Sequence, residues 1–136
     1  MTDFVSEQKS IPCGEERIYN TLSDLSNLEK FRDRIPADKI KRFSCDADSC
    51  TVSVDPVGEV TFNVIEREPF KTIKFITSKS PMPLTLWIQM KQVEENDTRI
   101  KLTARADLNP FLKPMLQKPL QDAVDKLADM LTKIQY

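Results

Sequence analysis

The chain has 136 residues, with 20 basic and 21 acidic side chains and a formal net charge of -1. This length is typical of one domain, and we expect residues 1–136 to form a single one. The charge balance disfavours a nucleic-acid partner, since such binding usually requires a basic excess that displaces counterions from phosphates. No segment has the roughly 18 consecutive apolar residues of a membrane span, and the N-terminus lacks the pattern of a signal peptide. We therefore expect a cytoplasmic protein with no integral membrane segment.

The N-terminal part of the chain predicts one strand followed by two short helices. Residues 3–11 form a weak strand candidate, because most of their side chains are polar. Glu15–Leu22 is predicted to be helical, with acidic residues in the first turn, where they suit the helix dipole. A second short helix follows, capped by Ser26 or Asn27 and stopped by Pro36.

From Lys39 onward the spacing of apolar residues changes to a period of two, which indicates strands. The alternation is clearest in residues 59–64 and 99–106. Five short segments of turn residues separate the predicted strands: 46–49, 55–58, 68–70, 80–83 and 95–98. Together with the first strand, this pattern predicts an antiparallel meander of about seven strands with one buried face.

A long helix is predicted to close the chain after Asn109 and Pro110. Its apolar positions are spaced three or four residues apart, at Leu112, Leu116, Leu120, Ala123, Val124, Leu127, Leu131 and Ile134. Pro114 and Pro119 fall in its first turns, and an interior proline costs about 3 kcal/mol. We therefore expect a kink or an irregular start before a regular helix from about Leu120.

The chain has three cysteines, and an odd number fits a reducing compartment. Cys45 and Cys50 flank the predicted turn 46–49, so they would face each other across two strands. Two alternatives stay open for this pair: a redox-active disulfide, or two small apolar strand residues. No histidine occurs and the spacing is not C-x-x-C, so we predict neither a metal site nor a bound cofactor.

The order of the predicted elements resembles the START-like superfamily, also known as the polyketide cyclase/dehydrase and lipid-transport (SRPBCC) superfamily. Residues 12–28 resemble its strand-to-helix segment, with Asp24 and Asn27 forming a D-x-x-N pattern between the two helices. Residues 64–73 resemble its turn between the middle strands. The resemblance implies an α+β helix-grip fold, in which a curved antiparallel sheet wraps around the C-terminal helix and an apolar cavity lies between them.

This resemblance, combined with strand alternation, predicts a ligand site on the inner face of the sheet. The inner-face residues are predicted to be Phe62, Val64, Phe75, Thr77, Leu86, Ile88, Ala104 and Ala106. From the helix, Met115, Leu116 and Leu120 would close the cavity, and Met82 and Phe111 would stand at its mouth or fold back onto the core. The small side chains of Ala104 and Ala106 would leave room for a ligand, although a filled core gives the same pattern.

Three functions are compatible with this pattern. The first is binding of a small hydrophobic ligand of lipid, polyketide or isoprenoid type. The second is a homodimer or protein-partner interface on the outer sheet face, because Trp87 is out of phase with Leu86 and Ile88; a bulge or coverage by long side chains would remove this argument. The third is a cyclase or hydrolase, which an inward-facing Glu7 or Lys9 would favour, but no catalytic residue can be assigned.

Overall fold

The computed structural model describes residues 2–34, 40–54, 58–79, 83–134 and 136. Within these ranges, eight strands form one curved antiparallel sheet, accompanied by two short helical segments and one long helix. In chain order the elements are β1 (Thr2–Val5), β2 (Lys9–Ile11), α1 (Glu15–Leu22), a 3-10 helix (Leu25–Arg34), β3 (Ile40–Cys45), β4 (Ser49–Val54), β5 (Gly58–Glu68), β6 (Thr72–Lys79), β7 (Leu84–Glu94), β8 (Asp97–Ala106) and α2 (Lys113–Thr132). The strand order is β1-β8-β7-β6-β5-β4-β3, and β2 pairs with β8. The predicted α+β architecture is confirmed.

The sheet has eight strands in place of about seven because the first predicted strand is divided in two. Both parts pair with β8, Val5 opposite Thr103 and Lys9 opposite Ile100. The three residues between Val5 and Lys9 therefore face the two residues between Ile100 and Thr103 on β8. One extra residue on one of two paired strands defines a β-bulge. Within the bulge, the backbone N–H of Ser6 donates to the carbonyl of Leu102 over 2.9 Å.

The hairpin between β3 and β4 carries a disulfide. Cys45 and Cys50 are cross-strand partners, and the structure joins their sulfurs. The turn is held by the carboxylate of Asp46, which accepts hydrogen bonds from the backbone N–H groups of Asp48 and Ser49. These bonds, the one from Asp48 foremost, lower the pKa of Asp46. Of the two alternatives left open by the sequence, the structure contains the disulfide.

The short helical segments lie where they were predicted, but the second is capped differently. It begins at Leu25, so the capping position falls on Asp24, whose carboxylate accepts hydrogen bonds from both the backbone N–H and the hydroxyl of Ser26. Asn27 instead donates from its side-chain amide to the carbonyl of Thr21. The predicted stop at Pro36 lies outside the described residues.

The long helix α2 begins at Lys113, seven residues before the predicted regular start at Leu120. That prediction was wrong, because Pro114 occupies the first turn, where a backbone N–H has no partner within the helix. The helix also continues through Pro119. Its buried face consists of Leu116, Leu120, Val124, Ala128 and Leu131. None of the helices in the described ranges is long and apolar enough to cross a membrane.

Candidate ligand site

The structure brings the predicted inner-face residues together on the face of the sheet that carries the core. Cross-strand pairing places Phe4, Ala104, Leu86, Phe75 and Val64 in one row that crosses β1, β8, β7, β6 and β5. A neighbouring row contains Ala106, Leu84, Thr77, Phe62 and Cys50. The two rows lie on the same face of the sheet, because residues two apart along a strand point to the same side.

Burial is uneven along these rows. Ala104, Leu86 and Phe75 are buried, on the strands at the centre of the sheet. On β4 and β5, Val52, Phe62 and Val64 are only partly buried and pack against the core, whereas Cys50 and Val60 on the same two strands are buried. We call this part of the inner face, formed by Val52, Phe62, Val64 and the neighbouring Thr77 on β6, the open half.

The position of α2 contributes to the difference in burial. Among the described residues, the strands that α2 contacts most are β8, β1 and β2. The glutamine side chain of Gln121 donates to the carbonyl of Val5 on β1 over 3.0 Å, and Lys9 on β2 forms an ion pair of 2.9 Å with Asp129. The helix is therefore fastened over one side of the sheet, and its cover does not extend fully over the open half.

The residues predicted to close the site fall into three groups. Leu116 and Leu120 are buried on the inward face of α2. Met115 is 69% exposed and Phe111 is 87% exposed, so both side chains project into solvent. Met115 lies outside the buried face because it immediately precedes Leu116, and successive helix residues are about 100° apart. Met82 lies outside the described residues. The roles of all these residues in ligand binding stay predictions.

The polar groups near the inner face contact the backbone, an ion-pair partner or solvent. The hydroxyl of Thr77 accepts a hydrogen bond of 3.1 Å from the backbone N–H of Leu84. Glu7 is exposed, and Lys9 is paired with Asp129, which raises the pKa of Lys9. Neither side chain supplies the buried ionisable group that would have favoured an enzyme.

Arg67 is a polar residue of this region that the sequence did not reveal. A bulge between Val64 and Glu66 shifts the alternation of β5 and sets Arg67 opposite Ile73. Its guanidinium donates to the carbonyl of Ser23 over 2.9 Å and forms an ion pair with Asp48 over 2.7 Å. Arg67 thus ties β5 to the segment after α1 and to the β3–β4 turn. Strict alternation cannot locate such a residue, because the bulge changes its parity.

A separate groove of about 450 Å³ lies on the surface between β1 and α2. Its lining is mixed: Phe4 and Pro114 contribute apolar surface, and the polar residues are Thr2, Asp3, Gln117, Lys118, Gln121 and Asp122. It does not include any residue of the open half. No group of three or more His, Cys, Asp or Glu side chains that would hold a metal ion is found in the part of the chain that the structure describes.

Trp87 lies on the outer face of the sheet, opposite Lys74 on β6. The ammonium nitrogen of Lys74 is 5.5 Å from the centre of the Trp87 rings, and the guanidinium carbon of Arg105 is 5.4 Å from it. The indole is therefore on the predicted face, and long basic side chains cover part of it.

Comparison with solved structures identifies the fold. A START superfamily protein from Mycobacterium smegmatis superimposes with a TM-score of 0.72 over 96% of this chain and 94% of its own, at 14% identity. The chain has the START-like helix-grip fold. Norcoclaurine synthase from Thalictrum flavum, in complex with dopamine and hydroxybenzaldehyde, also shares the helix-grip fold, with a TM-score of 0.72, 97% and 86% coverage and 13% identity. The Aha1 dimer from Colwellia psychrerythraea gives a TM-score of 0.57, with 92% and 97% coverage and 20% identity.

At these identities the likeness establishes the helix-grip fold alone. No family model and no curated protein matches the chain. The resemblance predicted from the order of elements is confirmed at the level of the fold, whereas ligand and activity have to be argued from the chain's own residues.

Proposed function

We propose that this chain binds a small apolar molecule between the inner face of the sheet and α2, at the open half. The observation that carries this proposal is the incomplete burial of Phe62 and Val64. The row of Val64 continues through the buried Phe75 and Leu86, and the row of Phe62 reaches the buried Leu84 across the partly buried Thr77. A ligand in this position would complete the cover that α2 gives to the rest of the face. Each large apolar side chain removed from water contributes about 1.5–3 kcal/mol, so the face favours such a ligand.

The chemistry of the open half favours recognition by shape and apolar contact. Its side chains are aliphatic or aromatic apart from Thr77, whose hydroxyl already accepts a backbone hydrogen bond. Binding pockets for small molecules are generally lined in this way, with few polar groups. We therefore propose a ligand of lipid, polyketide or isoprenoid type, and binding without catalysis. Norcoclaurine synthase, which shares the fold, holds small aromatic molecules, and this supports the size class.

A charge placed in the open half tests the proposal. We expect Val64→Lys to weaken binding of the neutral apolar dye Nile red about tenfold or more, because the lysine would need to lie unpaired against an apolar ligand. The matched control is Ile65→Lys, the next residue of β5, which is 50% exposed on the other side. This variant should bind the dye as the unchanged protein does. Fluorescence titration gives both affinities, and native mass spectrometry of the purified protein identifies any bound species.

A milder variant at the same position addresses the possibility that Val64→Lys does not fold. Val64→Thr retains the side-chain shape and adds only a hydroxyl, and circular dichroism verifies that each variant is folded. Equal weakening by Val64→Lys and Ile65→Lys would contradict a site at the open half. Failure of the unchanged protein to bind Nile red, together with the absence of any co-purified apolar molecule, would contradict ligand binding altogether.

A further inference from the structure

The outer face of the sheet carries a line of apolar side chains that the ligand site does not use. We define the convex stripe as Ile65, Ile76, Trp87, Thr103 and Val5. Trp87 pairs with Thr103 and Thr103 with Val5, while Ile76 is two residues from Lys74, the partner of Trp87. Ile65 belongs to the bulge of β5, two residues along the strand from Asn63, the cross-strand partner of Ile76. The stripe crosses five strands, and the four spacings between them, at about 4.8 Å each, give a length of roughly 19 Å.

The apolar members of the stripe are accessible. Ile65 is 50% exposed, Val5 44% and Ile76 40%, and Trp87 is partly exposed. Single exposed apolar residues are ordinary on protein surfaces, but adjacent ones that form a continuous patch usually mark a contact surface.

Basic side chains border this stripe. Lys74 and Arg105 lie over the Trp87 rings, and Lys101 stands on β8 two residues from Thr103. Beyond Lys101, Lys91 and Arg99 are direct cross-strand partners, so that two positive charges face each other.

Carboxylates offset only part of this charge. Asp3 holds Arg105 with hydrogen bonds of 2.8 and 3.2 Å, and Asp97 lies 3.3 Å from Arg99. Among the residues that the structure describes, no salt bridge is found for Lys74, Lys91 or Lys101. Glu66 is the cross-strand partner of Lys74 and partly balances it. Because the whole chain has a net charge of -1, the basic excess here is a local feature.

We propose that the convex stripe docks an acidic, partly apolar segment of another protein. Apolar side chains of the partner would pack on Ile76 and Trp87, and its carboxylates would pair with the lysines at the border. An extended segment covers the length of the stripe with about six residues. A second copy of this chain is a poorer occupant, because a symmetric contact would bring the same lysines against each other.

Trp87 provides a direct measurement, since it is the single tryptophan of the chain. The probe is a synthetic peptide in which glutamate alternates with leucine, compared with peptides in which every glutamate is lysine or every leucine is serine. We expect the glutamate–leucine peptide to change Trp87 emission saturably, with an affinity that falls as salt is raised. The other two peptides should leave the emission unchanged.

Charge-reversal variants connect the signal to the stripe. Lys101→Glu should weaken binding of the glutamate–leucine peptide about fivefold, the scale of an exposed ion pair that becomes a repulsion. Lys91→Glu should act in the same direction, and Ile76→Ser should weaken binding by removing the apolar contact. The matched control is Lys118→Glu, a charge reversal at another exposed lysine, on α2, which should change the affinity by less than about twofold.

Several results would overturn the proposal. Equal binding of the lysine peptide, or equal effects of Lys101→Glu and Lys118→Glu, would remove the charge argument. Self-association that Ile76→Ser abolishes in sedimentation experiments would assign the stripe to a second copy. If phosphatidylserine vesicles or single-stranded RNA change Trp87 emission in a Lys101-dependent way while the acidic peptide does not, the partner is of that class and the proposed one is wrong.

Discussion

A single hydroxyl connects the first strand to the centre of the sheet. Ser6 is buried, and its Oγ accepts the backbone N–H of Leu102 over 2.9 Å while donating to the carbonyl of Glu7. The side chain thus replaces the carbonyl that a regular strand would offer to β8. The bulge between β1 and β2 retains its hydrogen bonding because a serine is present there.

Removal of this hydroxyl is expected to destabilise the fold. Ser6→Ala leaves the buried N–H of Leu102 without an acceptor, which costs roughly 1–3 kcal/mol. Urea denaturation measures the loss as a decrease in the free energy of unfolding. Ser78→Ala, at an exposed position on β6, is the control and should change stability by less than about 0.5 kcal/mol. Similar losses in the two variants would show that the Ser6 hydroxyl has no special role.

At this scale, the sequence predicts which face a residue occupies better than how far it is buried. Alternation correctly placed Leu86, Ile88 and Ala104 on the buried face. It could not distinguish them from Phe62 and Val64, because their coverage depends on where α2 crosses the sheet. Beyond a bulge, alternation assigns residues to the wrong face of the sheet, as it does for Arg67.

Among the elements, the β3–β4 hairpin shows what local sequence can and cannot determine. The turn at residues 46–49 and the opposition of Cys45 and Cys50 follow from turn residues between two alternating segments. The bond between the two sulfurs does not follow from this pattern, since a cross-strand pair of thiols is equally compatible with it. The disulfide is more typical of an oxidising compartment, so the cytoplasmic location stays a prediction that rests on other features.

Reduction of this disulfide is expected to lower stability modestly. The bond closes a short loop, and loop-closure entropy for about six residues corresponds to about 2 kcal/mol. Urea denaturation with and without a phosphine reductant should show this difference. It should persist in Cys13→Ala and disappear in the double variant Cys45→Ala/Cys50→Ala. If alkylation of the non-reduced protein labels three thiols rather than one, the disulfide is absent in solution.

For the long helix, too, the sequence predicts the presence of the element better than its exact limits. Its existence and its apolar face were predictable from spacing, whereas its start was not. Pro114 reads as a helix breaker in an interior position but is well tolerated in the first turn, and only the position of Lys113 as the first residue decides between the two.

For the whole molecule, the attachment of α2 is uneven along its length. The C-terminal half is held by the buried Ala128 and Leu131 and by the ion pair from Lys9 to Asp129. Beyond the helix, the Tyr136 hydroxyl donates to the carbonyl of Leu131, and burial raises the pKa of Tyr136. The N-terminal half is held by the buried Leu116 and Leu120 and by the hydrogen bond from Gln121 to Val5, and it includes the exposed Met115. It is also the half that a ligand entering beside Leu116 and Leu120 would need to displace.

Hydrogen exchange should reveal this difference in attachment. We expect the amides of residues 124–131 to exchange several-fold more slowly than those of residues 115–121, because the C-terminal part has the additional contacts from Lys9 and Tyr136. Pro119 contributes to the difference, since it cannot donate to the carbonyl of Met115 one turn earlier. Pro119→Ala restores that donor and should slow exchange in residues 115–121 while leaving residues 124–131 unchanged. Uniform protection along α2 would mean that the helix opens as one unit, and ligand access would then have to occur through the opposite side of the open half.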